Sequence, residues 1–252
     1  MPTHQNLSSE NPSHSFWVRS THWIITLSFF ALVITGIEMI MVHPRFYWGE
    51  AGNDLTPALF EIPLSRNYKH GGWDKPVPFT SAANAPVSAS RTYPIFNQNG
   101  WGRSLQFLAG WFLLIPGWIY FVMGIFTGHF WRYLFPRAKD FSWHLLWEDV
   151  VNHLFLHIPA DKVGPDYGLL QKCSYLFVIF FLMPTIVMTG MTMSPAITAA
   201  YPFLLKLFFG AQSARTIHFM TSIALILFLI AHIVMVAKSG IKQQMRAMTI
   251  GK

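Results

Sequence analysis

The residues best suited to chemistry in this chain are its histidines. There are 11 among 252 residues. Three of them, His22, His218 and His232, stand inside or at the ends of long apolar stretches. An ionisable side chain is costly there, so it points first to function. His218 and His232 are separated by 14 residues. On an α-helix that is close to four turns, so the imidazoles share one face, about 21 Å apart along the axis. His22 precedes the first apolar stretch at about the depth of His232. Arg19 lies one turn before His22, and Arg215 one turn before His218. Each is placed to meet a carboxylate of whatever the neighbouring histidine holds. A lone intramembrane histidine is usually a buried polar side chain satisfied by a hydroxyl. Two on one face, a third at matching depth and an arginine beside two of the three fit that account poorly. Glu38 is the one acid inside these stretches, which argues against a proton relay. A metal transporter would line its path with more carboxylates or thioethers. Haem held by histidines between helices fits best. The chain lacks C-x-x-C-H, so the haem would be b-type, not covalently attached.

The elements that position these side chains must lie in a membrane. Charged residues are 12 % of the chain and hydrophobic ones 52 %, against about 25 % charged in soluble domains. That excludes an ordinary soluble enzyme and a disordered chain. The single cysteine, Cys173, excludes a disulfide framework, a cysteine-based zinc site and an iron–sulfur cluster. The net charge of +7 comes without a basic stripe interleaved with aromatics, so it reads as loops facing lipid headgroups, not nucleic acid. A bilayer span needs about 20 apolar residues, and four are predicted, over about 17–42, 105–129, 173–193 and 217–237. Pro116 and Pro184 inside them are tolerated, because neighbouring groups satisfy the freed carbonyl. The polar N-terminus, with no small-residue cleavage site after the apolar stretch, is not expected to be a removed signal. Ten Lys and Arg fall on the side of the termini and eight on the other, which places both termini in the cytoplasm. Loop 43–104 then faces outward, and its 62 residues suggest a function or a partner. Trp48, Trp73 and Tyr93 are its candidate anchors. Residues 141–157 are apolar at helical spacing and read as a helix along the inner surface. The expected fold is all-α: a single membrane domain over 1–252, a haem-binding bundle of four transmembrane helices.

Several motifs then carry a resemblance. They are R-S-T-H-W (Arg19 to Trp23), W-G-R-S-L-Q (Trp101 to Gln106), Tyr167 followed by Gln171-Lys172, R-T-I-H-F (Arg215 to Phe219), His232, and the trailing K-S-G-I-K. In order and over nearly the whole chain they resemble the membrane cytochrome b subunits of formate dehydrogenase, nickel–iron hydrogenase and thiosulfate reductase, the bacterial cytochrome b561-like group. The resemblance implies a bundle in the bacterial inner membrane that binds two b haems. It implies electron transfer between the respiratory quinone pool and a catalytic partner, usually periplasmic. It also implies His22 and His232 as ligands of the inner haem, the pair already matched by depth. The outer haem would take His218 and a histidine at the start of span two. Here the chain departs from the family, because that position is Gln106.

Glutamine is not a usual axial ligand of haem. The outer haem therefore takes another ligand, is held by His218 alone, or is absent. Two haems are favoured, with one as the alternative. His43 lies at suitable depth for the missing ligand, with Met41 and Met193 on the same side. Its plainer reading is an interfacial residue beside Tyr47 and Trp48. Arg103 is a further propionate candidate or a lipid contact. His129, His144, His153 and His157 lie on the inner side; the first three are candidates for a quinone site, with headgroup contact as the plainer reading. The expected function is transmembrane electron transfer between quinone and a periplasmic oxidoreductase, possibly a molybdopterin enzyme by family analogy, which the chain anchors. It is not expected to be catalytic by itself. The alternatives are a stand-alone transmembrane haem reductase and a haem-free anchor or transporter.

Overall fold

The computed structural model describes residues 15–52, 57–62, 99–136, 142–154 and 168–251. Four helical stretches are long and apolar enough to cross a membrane. They are α1 (Phe16–Val42), α2 (Asn99–Phe126), the continuous pair α4 (Leu169–Phe177) and α5 (Met183–Thr192), and α8 (Ala211–Lys238). The shorter elements are strands β1 (Arg45–Phe46) and β2 (Phe60–Glu61) and helices α3 (Trp143–Leu154), α6 (Pro195–Ala200), α7 (Phe203–Leu207) and α9 (Ile241–Thr249).

The long helices distribute polarity inside out. On α1, Leu27, Phe30, Ile34 and Ile37 form an exposed stripe, while Thr21, Ser28 and Thr35 are buried. Each buried hydroxyl donates to the carbonyl four residues back, at 2.8 Å. Small hydroxyl side chains thus pack inward without leaving an unpaired group. Thr189, Thr192, Ser213, Thr216 and Thr221 repeat the pattern on α5 and α8. Small interior residues and a bulky apolar exterior suit lipid as solvent. Between α4 and α5 the chain widens to π geometry over Val178–Leu182. Pro184 has no N–H to offer the Phe180 carbonyl, and the wider turn lies where that bond is missing.

Contacts divide the chain into two compact units. One comprises residues to 23, 118–181 and those from 226 onward. In it a π-helical turn, Phe130–Leu134, follows α2. Phe130 is only 1 % exposed, with the rings of Tyr120, Phe121 and Phe180 at 5.7, 6.0 and 5.6 Å. Asp149 of α3 accepts the Leu170 N–H at 3.3 Å, which puts a carboxylate on the positive end of α4. Trp23 Nε1 donates to the Met248 carbonyl at 2.9 Å and Arg19 Nη1 to that of Thr249 at 3.3 Å. These satisfy carbonyls that α9 leaves open at its end.

The other unit comprises 24–117 and 182–225. Strands β1 and β2 pair antiparallel, Arg45 opposite Glu61 and Phe46 opposite Phe60, with an Arg45–Glu61 ion pair of 2.8 Å. The segment after β1 closes the start of α8. Gln212 and Ser213 N–H groups donate to the Gly49 carbonyl at 2.9 and 3.2 Å. Gly49 N–H donates to Ser213 Oγ at 2.6 Å, and Thr216 Oγ1 to the Tyr47 carbonyl at 2.7 Å. Ala211 N–H donates to Glu50 at 3.2 Å. Gly210, at φ +115°, lies so close to the Gly49 backbone that a Cβ would collide with it. The approach therefore requires glycine.

The observed boundaries differ from expectation at three starts. Helix α2 begins at Asn99, α4 at Leu169 and α8 at Ala211, because each opens with polar residues that hydropathy alone does not count, and α2 ends at Phe126, short of the expected 129. The amphipathic segment expected over 141–157 is α3, Trp143–Leu154, and residues 155–157 lie outside the described residues. So do Trp73 and Tyr93 of loop 43–104.

Candidate functional site

In the first unit α1 and α8 bring His22 and His232 together. Their ring centroids are 6.5 Å apart, with planes at 53°. Two metal–imidazole bonds of about 2 Å each, plus the inner half of each ring, span about 6 Å. The pair therefore fits a single iron between the rings. Neighbours fix the ring planes: Trp23 lies edge-on to His22 at 5.5 Å, Phe228 stacks on His232 at 6.1 Å, and Tyr175 stands edge-on to His232 at 6.4 Å. The Tyr175 hydroxyl accepts from Gln171 Nε2 at 2.9 Å. The expected propionate partner Arg19 reaches the end of α9, and its Nε, though buried, has no acceptor among the described residues.

His129 lies in the same unit within an aromatic cluster. Tyr133 is at 5.1 Å, Trp17 at 5.7 Å, and Tyr120 and Phe130 at 6.2 Å each. The other quinone candidates are elsewhere. His144 is exposed on α3, 4.0 Å from Glu148. The side chain of His153 and all of His157 lie outside the described residues.

In the second unit His218 meets Thr189 of α5, with Nδ1 and Oγ1 3.0 Å apart. Arg215 donates to the Arg45 carbonyl and lies 5.3 Å above the Phe46 ring. Phe46 in turn packs on Phe60 and Phe219 at 4.8 and 4.4 Å. His43 follows α1 directly. Although its side chain keeps exposed surface, surrounding protein and then the Arg215 cation lower its pKa. Both effects favour the neutral imidazole, the form that ligates metals. No contact joins the His43 and His218 rings among the described residues. The amide of Gln106 rests on the Thr35 hydroxyl. Arg103 is exposed, 6.0 Å above the Phe107 ring. Glu38 is fully buried, and neither carboxylate oxygen has a hydrogen-bond partner among the described residues. Among the described residues no three of His, Cys, Asp and Glu converge on a metal.

Sequence reading missed Thr189 and Tyr175, which touch candidate ligands. A signal for Thr189 existed: Thr185, Thr189 and Thr192 recur at one-face spacing in a span.

Known proteins bear on this arrangement. A relative from Azospira oryzae, "Putative protein-methionine-sulfoxide reductase subunit YedZ1", is 27 % identical over 226 residues, 89 % of each chain. No solved structure matches. Residues 13–251 match the family prokaryotic cytochrome b561. The chain belongs to that family: it is a multi-pass protein of the bacterial inner membrane that transfers electrons with b-type haem.

Proposed function

We propose that this chain carries electrons from a quinol on the cytoplasmic side of the membrane to an oxidoreductase docked on the periplasmic side, which it also anchors. The observation that carries this reading is the 6.5 Å separation of the His22 and His232 rings, which suits two axial ligands of one haem. When bound, a b haem supplies reversible one-electron exchange. Trp23, Phe228 and Tyr175 pack against the ligand rings and hold them in place. His218 holds a second haem, with His43 as the other ligand or with that position open. Arg215 and Arg19 offer charge to propionates, with Arg103 as a further candidate. Both termini lie in the cytoplasm, as the distribution of Lys and Arg suggests.

The quinol site lies in the unit of His22 and His232. Its best candidate is the cluster around His129, where an imidazole can accept a quinol hydroxyl proton and Trp17 and Tyr120 offer ring faces. His144 and His153 on α3 are the remaining candidates. The partner is an oxidoreductase of the kind named for the Azospira oryzae relative, a reductase of oxidised methionine in proteins; a molybdopterin enzyme fits the resemblance. The chain supplies electrons and does not bind the final substrate. Membership of a haem family sets aside the haem-free alternative.

Replacing His22 or His232 with alanine is expected to remove one low-spin b-type signal and to abolish reduction by quinol. Full haem content and unchanged quinol reactivity in both variants would show the pairing to be wrong.

A further inference from the structure

Thr189 is fully buried on α5 and faces the ring of His218 on α8. Its hydroxyl carries one hydrogen, and the carbonyl of Thr185 takes it at 2.6 Å. The oxygen is left as an acceptor, 3.0 Å from His218 Nδ1. The Ile186 carbonyl stands as a second acceptor beside the same ring. With acceptors on that side, the ring proton belongs on Nδ1 and the lone pair on Nε2. Gly190 lets the ring lie close, because a Cβ there would stand 3.3 Å from His218 Cε1.

We infer that Thr189 is a positioning residue that fixes the tautomer and plane of His218, so that Nε2 is the nitrogen presented to iron. This rests on the reading of His218 as a haem ligand. An imidazole that donates from its far nitrogen is more basic and more tightly oriented, and losing such a partner typically weakens metal affinity about 10–100-fold. A more basic ligand favours ferric iron, so the hydrogen bond lowers the potential of that haem.

The test compares Thr189→Val, Thr189→Ser and His218→Ala in the full-length, haem-loaded protein. Potentiometric titration and haem retention during detergent exchange are read out, with the His22–His232 signal as an internal check of folding. Thr189→Val keeps the shape and removes the hydroxyl. It is expected to raise the potential of the His218 haem and weaken its retention about 10-fold, the lower end of the range, because the Ile186 carbonyl remains. Thr189→Ser is expected to restore both. If Thr189→Val matches the parent while His218→Ala loses one haem, the ligand reading stands and the positioning role falls. Thr189→Ser behaving like Thr189→Val would overturn it too, since the methyl would then be what matters. If His218→Ala keeps every haem and the full spectrum, the ligand reading falls and the inference with it.

Discussion

At the residue scale, the proposed second haem site turns on Gln106 and His43. The Gln106 amide is held against Thr35 on α1, and an amide is a poor axial ligand for iron. His43 brings a better donor, since desolvation and then Arg215 favour its neutral imidazole. If His43 is the second ligand, His43→Ala should turn the His218 haem from low-spin to high-spin and open it to carbon monoxide when reduced. Adding Gln106→His to that variant restores an imidazole at the family position and should restore the low-spin spectrum. A His43→Ala protein with an unaltered spectrum and no carbon monoxide binding would remove His43 from the site. The candidates His22, His218 and His232 and their spacing could be read in the sequence because ionisable residues stand out against apolar spans. Thr189 could not be singled out so easily, because hydroxyl residues are common inside membrane helices and usually satisfy themselves.

At the element scale, the start of α8 depends on residues more than 150 positions earlier in the chain. Gly49, Glu50 and Tyr47 take up or supply bonds at its first turns, where four N–H groups of any helix lack partners. Ser213→Ala removes the acceptor of the part-buried Gly49 N–H, and a buried donor left unpaired costs about 1–3 kcal/mol, the upper bound here. The variant is expected to lose the His218 haem signal at a lower temperature than the parent, with the His22–His232 signal lost at the parent's temperature. Equal melting of the His218 signal in both proteins would show that solvent replaces the bond. None of this junction was legible beforehand. Strands of two residues carry no alternation to detect, and a glycine that permits close backbone approach looks like any other loop glycine. The spans were legible because hydrocarbon thickness sets their length. The π turn before Pro184 was not, since hydropathy does not record which carbonyl a helix leaves unserved.

At the scale of the whole molecule, bulky apolar side chains cover the exposed faces of the spans and hydroxyl residues their buried faces, so lipid accounts for most of the exposed apolar surface. The loop after α1 demands a different account. Trp48 is 54 % exposed and stacks at 6.0 Å on Phe209, itself exposed at the end of α7. An aromatic held in place before binding loses little freedom on docking, and such side chains dominate interfaces. Trp73 and Tyr93 lie further along the same loop. The contacts that fix the loop to α8 and pair β1 with β2 involve residues 45–50 and 60–61. A deletion of residues 70–90 leaves all of those groups in the chain. It should therefore spare the haem spectrum and quinol reduction yet separate the protein from the proposed periplasmic partner, as read by co-purification from membranes. Loss of haem would mean that the deleted stretch supports the fold. Co-purification at full yield would mean that the partner is held elsewhere, with Trp48 and Phe209 the next residues to replace.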